Sequence, residues 1–452
     1  MKWIAYNLLF LAAYPLMLPS FLVRMLRRGG YAARMGDRFA IYPEEVLKIL
    51  GRRDSLSDSH DLSRGDLEPG EFVWVHAVSV GEVRVAGRLM REWRNVERGV
   101  RFCFSTTSST GWKAAESEIT DRDVLIYNPI DFPSFVKSAL LTIRPRALVL
   151  TESEIWPNLI RRAARAGIPT FLVNARVSDR SAPRYRAARL FFGDVFRSFS
   201  GIFAQSELDA DRIRAAAPKA DNISVCGSFK FDAAERNEAK EREMGEWIFG
   251  GANGDARPKL LLGGSTWPGE DVALLKIYKR LVESPKSSAE ILLAIAPRHF
   301  EKADAVEANI KAAGFRCIRR SRGDRPSPGG GPAVFLADTT GELMGLYGIA
   351  DAVFVGKSLC AHGSQNMIEP CLCGKPTLVG PYTENFRPVM ADLLSSGAIV
   401  QVKDEAELGE RIVALFSDGG ALARELGERA KSAVERRRGV VARCVAEMRR
   451  AL

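Results

Sequence analysis

The chain has 452 residues, of which 46% are hydrophobic and 27% are charged. This composition excludes a disordered or fibrous protein, and the length exceeds what one hydrophobic core supports. The formal net charge is +10, which favours an anionic partner such as a membrane surface, a phosphorylated substrate or nucleic acid. The alternative is a solvated basic surface that has no partner.

The chain opens with an apolar run over residues 3–23, which Asn7, Pro15 and Pro19 interrupt. The run is long enough for a transmembrane helix, but its two prolines are equally compatible with a half-inserted anchor. Arginines follow it directly, and the positive-inside rule then places the later residues in the cytoplasm. We therefore expect an anchor over residues 1–30 that holds the protein against anionic lipids of the inner, cytoplasmic leaflet of a membrane.

Beyond residue 71, apolar runs of strand length alternate with amphipathic stretches, which predicts parallel sheets covered by helices on both faces. Polar or glycine-rich segments at 52–71 and 321–331 indicate loops. The predicted strands are 73–78, 101–107, 124–128, 147–151, 170–175, 201–206, 259–265, 291–299, 332–338, 352–358 and 376–380.

A charged and then glycine-rich stretch at 232–258 separates two series of strands and helices. We expect two Rossmann-like, doubly wound α/β domains that face a cleft, with ligands beyond the carboxyl ends of the strands. The expected divisions are an anchor (1–30), an N-terminal domain (31–235), a linker region (236–258), a C-terminal domain (259–430) and a basic helix (431–452).

Seven cysteines and four histidines are dispersed along the chain. No Cys-x-x-Cys pair and no spacing typical of metal ligands occurs, so we expect reduced thiols, no metal site and no cofactor. The basic residues do not alternate with aromatic residues in a patch, and we therefore expect no nucleic-acid partner.

The first candidate site follows the predicted strand 73–78, where small residues lead into a helix that carries Glu82 in its first turn. A carboxylate there can act as a general base on a hydroxyl group, or it can simply favour the positive end of the helix. His76 lies at the end of the same strand, and a satisfied, partly buried histidine is the favoured interpretation. Its predicted role is to orient the loop.

Further charged residues follow other predicted strands. Glu152 and Glu154 come after 147–151, where they can contact a sugar hydroxyl or favour a helix start. Lys230 precedes the domain boundary and can stabilise developing negative charge, although an ordinary surface lysine is the alternative. Arg298 suits a phosphate because its planar fork binds in a bidentate manner.

Two segments of the second series open helices whose free N–H groups favour an anion or a nucleotide, and helix capping is the alternative for each. They are Thr340–Gly341–Glu342 and Asn366–Met367–Ile368–Glu369. Together with the cations, these segments predict an enzyme that uses a nucleotide-linked donor.

The sequence resembles the 3-deoxy-D-manno-octulosonic acid (Kdo) transferases of lipopolysaccharide assembly. The resemblance covers nearly the whole chain. Its motifs are GDRFA (36–40), WVHAVSVGEV (74–83), STTSSTG (105–111), TESEIWPNLI (151–160), NARVSDRS (174–181), AQSELDADRIRA (204–215), GSFKFD (227–232), APRHFE (296–301), DTTGELMGLYGIADAVFVGKS (338–358) and NMIEPCLCGKPTLVGPYTENF (366–386).

The resemblance implies a metal-independent, inverting glycosyltransferase of the B type that moves Kdo from CMP-Kdo to the lipid A precursor at the cytoplasmic face of the inner membrane. It places Glu82 at the family's general base, and Glu152 and Lys230 at positions that support the transition state. It implies CMP binding by Pro297, Arg298, Thr340, Gly341, Glu342, Asn366, Met367, Ile368 and Glu369. The alternatives are a B-type enzyme for another nucleotide sugar and a catalytically inactive homologue at the membrane.

One departure from the family pattern lies in the donor half of the chain. The family usually has two glycines, a histidine and an asparagine where this chain has GSQN over residues 363–366. His362 stands three residues before the family's histidine, and Lys357 stands where the family prefers glycine. The segment around Glu82 shows no such departure.

Overall fold

The structure is a computed structural model that describes residues 2–28, 32–52, 70–250, 252, 257–283, 290–326 and 332–452. For residues 17–28, 32, 33 and 418, it describes the backbone alone. Most of the predicted loop at 52–71, and the second half of the one at 321–331, lie outside these ranges.

Contacts divide the chain into two units, Met1–Phe229 with Gly439–Leu452, and Lys230–Arg438. Each unit contains one seven-stranded sheet. The strands of the first are β1 (Phe72–His76), β2 (Arg101–Thr106), β3 (Val124–Tyr127), β4 (Ala147–Thr151), β5 (Thr170–Ala175), β6 (Gly201–Ala204) and β7 (Ile223–Val225). Those of the second are β8 (Lys259–Thr266), β9 (Ile291–Pro297), β10 (Arg316–Arg319), β11 (Ala333–Leu336), β12 (Ala352–Val355), β13 (Thr377–Val379) and β14 (Val400–Gln401).

Helices occupy most of the connections. In the first unit they are α1 (Lys2–Arg28), α2 (Glu44–Ile49), α3 (Val80–Val96), α4 (Ser109–Ala115), α5 (Pro133–Ile143), α6 (Pro157–Arg165), α7 (Ala182–Ala187), α8 (Arg189–Arg197), α9 (Glu207–Ala216) and α19 (Val440–Arg450). In the second they are α10 (Lys230–Ala233), α11 (Glu238–Phe249), α12 (Glu270–Glu283), α13 (Ala303–Ala312), α14 (Leu343–Ile349), α15 (Ile368–Leu372), α16 (Arg387–Ser395), α17 (Glu405–Phe416) and α18 (Ala421–Arg437).

The first sheet is parallel throughout and has the strand order β3-β2-β1-β4-β5-β6-β7. Alternate residues of each strand enter two cores on opposite faces: Trp74 and Leu148 belong to one, and Val73 and Val149 to the other. Burial on both faces explains why these strands are continuous apolar runs in the sequence. The carboxyl ends of β1 and β4 lie side by side, which sets the position of the loops that follow them.

The second sheet is also parallel and has the order β10-β11-β9-β8-β12-β13-β14. Leu260 and Leu262 enter one core and Leu261 the other, so this sheet is again covered on both faces. The predicted parallel α/β architecture is therefore confirmed for both sheets. Helix α11 falls within the stretch that the sequence marks as a linker, and it buries Met244 and Trp247 in the core of the second unit.

The N-terminal helix α1 lies against the first unit through an aromatic stripe. Trp3 and Tyr6 stack on Phe191 with ring centroids 5.0 Å apart, and Phe10 contacts Phe132 at 5.1 Å. Of the two forms expected for the anchor, the full transmembrane span is not supported, since no helix in the described part of the chain is long and apolar enough to cross a membrane. The side chains of the last third of the apolar run, from residue 17 onward, lie outside the described residues.

The interruption of the apolar run has a structural cause. Asn7 accepts a hydrogen bond from the Asn158 side chain at 2.8 Å, and the Tyr6 hydroxyl donates to Asp131 at 3.0 Å. Asp131 in turn accepts from the backbone N–H groups that open α6. The polar residue that breaks the hydropathy pattern is thus part of the face that packs on the domain.

Candidate active site

Glu82 lies at the start of α3, directly beyond the carboxyl end of β1. Ser79 caps the helix by accepting from the Glu82 backbone N–H at 3.3 Å. The Glu82 carboxylate accepts from the Val78 N–H at 3.0 Å and from the Ser79 hydroxyl at 2.8 Å. These bonds fix the carboxylate while it stays half-buried, so both the capping role and access to a ligand fit the geometry.

Glu152 follows β4 in a backbone conformation that only glycine adopts without strain, with φ of +54°. Asn174 in β5 has φ of +53° and donates from its side-chain amide to the Glu152 carboxylate at 3.3 Å. Its carbonyl accepts from Gln205 at 2.8 Å, and its side-chain oxygen accepts from the Phe229 N–H at 3.0 Å. Paired strain of this kind persists where the surroundings dictate it, and it is typical of functional sites.

Glu154 completes a cluster of three carboxylates. Burial raises its pKa to about 7, and repulsion from Glu82 and then Glu152 adds to the shift. The Trp156 ring N–H donates to its Oε2 at 3.1 Å. Within the part of the chain that the structure describes, neither Glu82 nor Glu154 forms an ion pair with lysine or arginine. The sequence pattern predicts Glu152 and Glu154 as equal candidates, and the family resemblance alone selects Glu152. Neither carries information on burial, which distinguishes Glu154.

His76 is fully buried in β1, and burial lowers its pKa to about 3. Its Nδ1 lies 3.1 Å from the Ser105 carbonyl oxygen and 2.9 Å from the Ser105 hydroxyl. Its backbone carbonyl accepts from Thr151 at 3.0 Å, which ties β1 to the end of β4. His76 is thus more deeply buried than the partly buried residue expected from the sequence, and its Nε2 has no hydrogen-bond partner among the described residues, so it is not fully satisfied. Its role in orienting the loop stays a prediction.

In the second unit, Pro297 ends β9 and Arg298 is exposed beyond it, with its backbone N–H donating to the Thr266 carbonyl at 3.0 Å. A cavity of about 90 Å³ lies beside this strand end and is lined by Trp267 and His299 among others. The Trp267 ring N–H is buried and has no hydrogen-bond partner among the described residues. A polar atom in this state is a natural contact for a ligand.

The 340–342 segment precedes α14. Thr340 is exposed and Gly341 has φ of +83°. The Glu342 carboxylate is buried and bonds to Arg320 at 3.0 Å and to the Thr339 hydroxyl. Glu342 is therefore already engaged by side chains of its own unit.

The 366–369 segment precedes and opens α15. Asn366 donates to the Glu369 carboxylate at 2.9 Å, and its side-chain oxygen accepts from the Ile368 N–H at 3.1 Å. Met367 and Ile368 are fully buried, so their side chains belong to the core. Asn366 and Glu369 are thus the two members of the segment whose polar groups are partly accessible.

Lys230 belongs to the second unit and lies against its 385–386 segment. Its Nζ donates to the Asn385 carbonyl at 3.4 Å and lies 4.3 Å from the centre of the Phe386 ring. Glu82 and Glu152 belong to the first unit. The structure thus brings the predicted catalytic carboxylates together and places the predicted catalytic lysine in the other unit.

Two residues with structural importance for these segments were not singled out from the sequence, Asn174 and Glu270. Glu270 is fully buried, and its carboxylate accepts from the N–H groups of Trp267, Lys357 and Ser358 at 2.8 to 3.0 Å. It therefore fixes the loop after β12, where Lys357 adopts φ of +59°. This conformation explains the family's preference for glycine there.

Metal-binding side chains are not grouped in the described ranges: no set of three or more histidines, cysteines or acidic residues is arranged to hold an ion.

The comparison with known proteins identifies the family. The family profile described as "3-Deoxy-D-manno-octulosonic-acid transferase (kdotransferase)" matches residues 33–233. A 3-deoxy-D-manno-octulosonic acid transferase from Bordetella pertussis is 35% identical over 337 residues, which cover 74% of this chain and 76% of the relative. The chain belongs to the Kdo transferase family. It is a glycosyltransferase, as the resemblance implied.

A relative from Haemophilus influenzae with the same description extends the match to nearly the full length, at 27% identity over 97% of this chain and 96% of the relative. Among solved structures, a UDP-GlcNAc 2-epimerase from Neisseria meningitidis is similar in fold, with a TM-score of 0.55. It shares 13% identity, and the match covers 84% of this chain and 100% of that one. This likeness supports the B-type, two-sheet fold.

Proposed function

We propose that this glycosyltransferase moves Kdo from CMP-Kdo to a lipid A precursor, lipid IVA, with inversion at the anomeric carbon. Membership of the Kdo transferase family supports the donor sugar. The observation that carries the proposal is the group of Glu82, Glu152 and Glu154 beyond the carboxyl ends of β1 and β4. Ligands of doubly wound sheets bind at these ends.

In the proposed reaction, Glu82 is the general base. It accepts the proton of the attacking hydroxyl group while the hydroxyl oxygen bonds to the anomeric carbon of Kdo. The bond from that carbon to the phosphate oxygen breaks, and CMP leaves with the electron pair. The bonds from Val78 and Ser79 hold the carboxylate in one orientation, which favours proton transfer at a fixed distance.

We assign donor binding to the second unit. Arg298 is exposed beyond β9 and suits the phosphate of CMP, and the buried ring N–H of Trp267 offers a further donor beside the same strand end. The 340–342 and 366–369 segments stay predictions as contacts of the nucleotide. In the latter, Asn366 and Glu369 carry the accessible polar groups. Lys230 would stabilise the departing charge.

We further propose that α1 lies in the plane of the cytoplasmic leaflet of the inner membrane. One face of the helix carries exposed aliphatic side chains, Ile4, Leu8, Leu9, Leu11 and Leu16, which are 56% to 83% accessible. The opposite, aromatic face packs on the first unit. A helix with this distribution buries its apolar face at the lipid boundary, where the acceptor is located.

The reaction is tested by incubating the purified protein with freshly made CMP-Kdo and a tetraacylated lipid A precursor, followed by mass spectrometry. A product heavier by one or more Kdo residues supports the proposal and counts the sugars. A parallel panel with other nucleotide sugars tests the alternative donor. Product formed from another nucleotide sugar and none from CMP-Kdo contradicts the proposed donor.

The membrane location is tested by flotation with vesicles of phosphatidylethanolamine and phosphatidylglycerol. We expect the double variant Leu8→Glu and Leu9→Glu to lose at least about tenfold in vesicle affinity, because it places two charges on the face proposed to enter the lipid. Leu422→Glu, at an exposed leucine of α18, is the matched control and should float like the wild type. Equal binding by all three proteins contradicts the proposed orientation of α1.

A further inference from the structure

The imidazole of His76 has a defined hydrogen-bonding state. A carbonyl oxygen can only accept a hydrogen bond, so the contact of Nδ1 with the Ser105 carbonyl at 3.1 Å places the ring hydrogen on Nδ1. The ring is fully buried and neutral. Its Nε2 therefore carries a lone pair, and this atom has no hydrogen-bond partner among the described residues. A buried acceptor without a donor is costly and calls for a partner.

The nearest acidic group to this lone pair is the carboxyl of Glu154. Its Oε2 lies 3.9 Å from His76 Nε2, about 1 Å beyond hydrogen-bonding distance. The Trp156 ring lies edge-on to the imidazole, with centroids 5.8 Å apart, and donates to the same carboxyl oxygen. Since neutral His76 offers no hydrogen here, a hydrogen bond between the two requires the proton to be on Glu154.

The groups that face Glu154 disfavour its ionised form. Burial is the largest cause, and Glu82 on α3 and Glu152 after β4 add repulsion. His76 on β1 supplies no positive charge, and Tyr185 on α7 is an uncharged phenol because burial and Glu154 raise its pKa. The two charged neighbours that shift the pKa of this carboxyl are therefore both negative.

We propose that Glu154 and His76 form a neutral positioning pair in which the carboxylic acid of Glu154 donates a hydrogen bond to Nε2 of His76. The pair limits the active-site cluster to two negative charges, those of Glu82 and Glu152. Because Glu154 is already protonated in this pair, it does not compete with Glu82 for the proton of the acceptor hydroxyl. This inference rests on the proposed function and assigns residues of the same site.

The pair makes a specific prediction for the pH dependence of transfer. Above a pH of about 7 Glu154 loses its proton, and the cluster gains a third negative charge. The donor carries a phosphate and a sugar carboxylate, so the added charge raises KM for CMP-Kdo more than it lowers kcat. We expect kcat/KM of the wild type to fall by about fivefold between pH 7 and 8, as the protonated fraction of a group with a pKa of about 7 does.

Two variants separate positioning from packing. Glu154→Gln retains a neutral donor for Nε2 and cannot ionise, so its kcat/KM should stay level over the same pH range. His76→Asn retains an amide near the position of Nδ1 and removes Nε2. Losing one hydrogen bond to the neutral acid should move the alkaline midpoint down by roughly 0.5 to 1 pH unit. A residue that serves packing alone would change stability and leave the midpoint where it is.

A spectroscopic measurement tests the pair independently of transfer. Infrared difference spectra of the full chain, recorded between pH 5 and 9, report the carbonyl stretch of a protonated carboxylic acid. Burial also raises the pKa of the Asp131 carboxyl to about 7, so the spectrum of the wild type is compared with that of Glu154→Gln. We expect the wild type to have carboxylic acid intensity at pH 6 that Glu154→Gln lacks, and we expect this difference to disappear above pH 8. If no sugar is transferred but the band behaves in this way, the proposed reaction fails and the pair stands.

The inference is overturned if Glu154→Gln has the full carboxylic acid intensity of the wild type at pH 6, or if its kcat/KM falls with pH as that of the wild type does. The second outcome would mean that a group other than Glu154 causes the fall of kcat/KM at alkaline pH. Should His76→Asn fail to fold, Glu154→Gln and the infrared band still decide the question.

Discussion

The acidic residues of the two units differ in how their charge is balanced. In the first unit, burial, together with repulsion from Glu82 and Glu152, raises the pKa of Glu154 to about 7. In the second unit, Glu270 is more deeply buried, yet its two carboxylate oxygens accept from backbone N–H groups at Trp267 and in the loop that follows β12.

This difference separates reactive from structural carboxylates. The buried charge of Glu270 is satisfied by several N–H groups and stabilises one loop conformation. Glu154 is buried beside two other carboxylates without a cation paired to it among the described residues, and its raised pKa is the kind of altered proton affinity that functional sites show. An acidic residue after a strand is therefore not enough to identify an active site, because the hydrogen-bond donors around the carboxylate decide whether its role is structural or catalytic.

Glu270→Ala tests the structural role of a carboxylate most strongly. Removing this carboxylate leaves several buried N–H groups without a partner, so we expect the free energy of unfolding to fall by about 3–5 kcal/mol. Chemical denaturation measures the change. Glu283→Ala, at the exposed end of the same helix, is the control and should have little effect. A loss under about 1 kcal/mol for Glu270→Ala would show that the loop does not depend on it.

On the reactive side, the raised pKa of Glu154 predicts a pH dependence of stability. The folded protein holds the proton up to about pH 7, whereas the unfolded chain releases it near its ordinary value of 4.5. Stability contributed by this proton is complete below pH 4.5 and is lost as the pH rises to 7. The difference between wild type and Glu154→Gln in unfolding free energy should change by roughly 2–3 kcal/mol over this interval. A constant difference contradicts the assignment.

Two variants of Asn174 test whether the backbone is strained at this residue and whether the Asn174 side chain positions Glu152. Asn174→Ala removes the hydrogen bonds and keeps the strain of φ +53°, whereas Asn174→Gly removes both. We expect Asn174→Ala to be less stable than Asn174→Gly by about 1 kcal/mol, and both to lose activity through misplacement of Glu152. Equal stability in thermal or chemical unfolding would mean that the backbone there is not strained.

The smallest effect is expected at α1. Tyr6→Phe removes the hydrogen bond to Asp131 and retains the ring stacking on Phe191, so the free energy of unfolding should fall by about 1 kcal/mol. Tyr14→Phe, further along the aromatic face, is the matched comparison. No change for Tyr6→Phe, measured by chemical denaturation, contradicts the view that this contact secures the helix.

Sequence periodicity was sufficient for the sheets, because strands buried on both faces are continuous apolar runs. All eleven predicted strands are present within a few residues of their expected bounds. The three that were not predicted, β7, β10 and β14, are short, and all three lie at sheet edges. Their sequences, ISV, RCIR and VQ, carry little apolar signal because their side chains are partly exposed.

The N-terminal helix and the active-site cluster show what sequence alone does not resolve. Hydropathy counts apolar residues without regard to direction, so it did not distinguish the aromatic face of α1, which packs on the protein, from its aliphatic face. Likewise, Glu82 and Glu152 were selected by their positions after strands. The proton affinity of Glu154 depends on burial and on Glu82, which is distant in the chain, and no local pattern contains either.

The most direct test of the proposed mechanism is the turnover number of Glu82→Gln with CMP-Kdo and the tetraacylated acceptor, measured beside Glu92→Gln on the same helix. We expect a loss of roughly 10²–10⁴-fold in kcat for Glu82→Gln, with no loss of affinity for CMP-Kdo and with Glu92→Gln fully active. A Glu82→Gln enzyme that turns over within a few-fold of the wild type would contradict the assignment of Glu82 as the base.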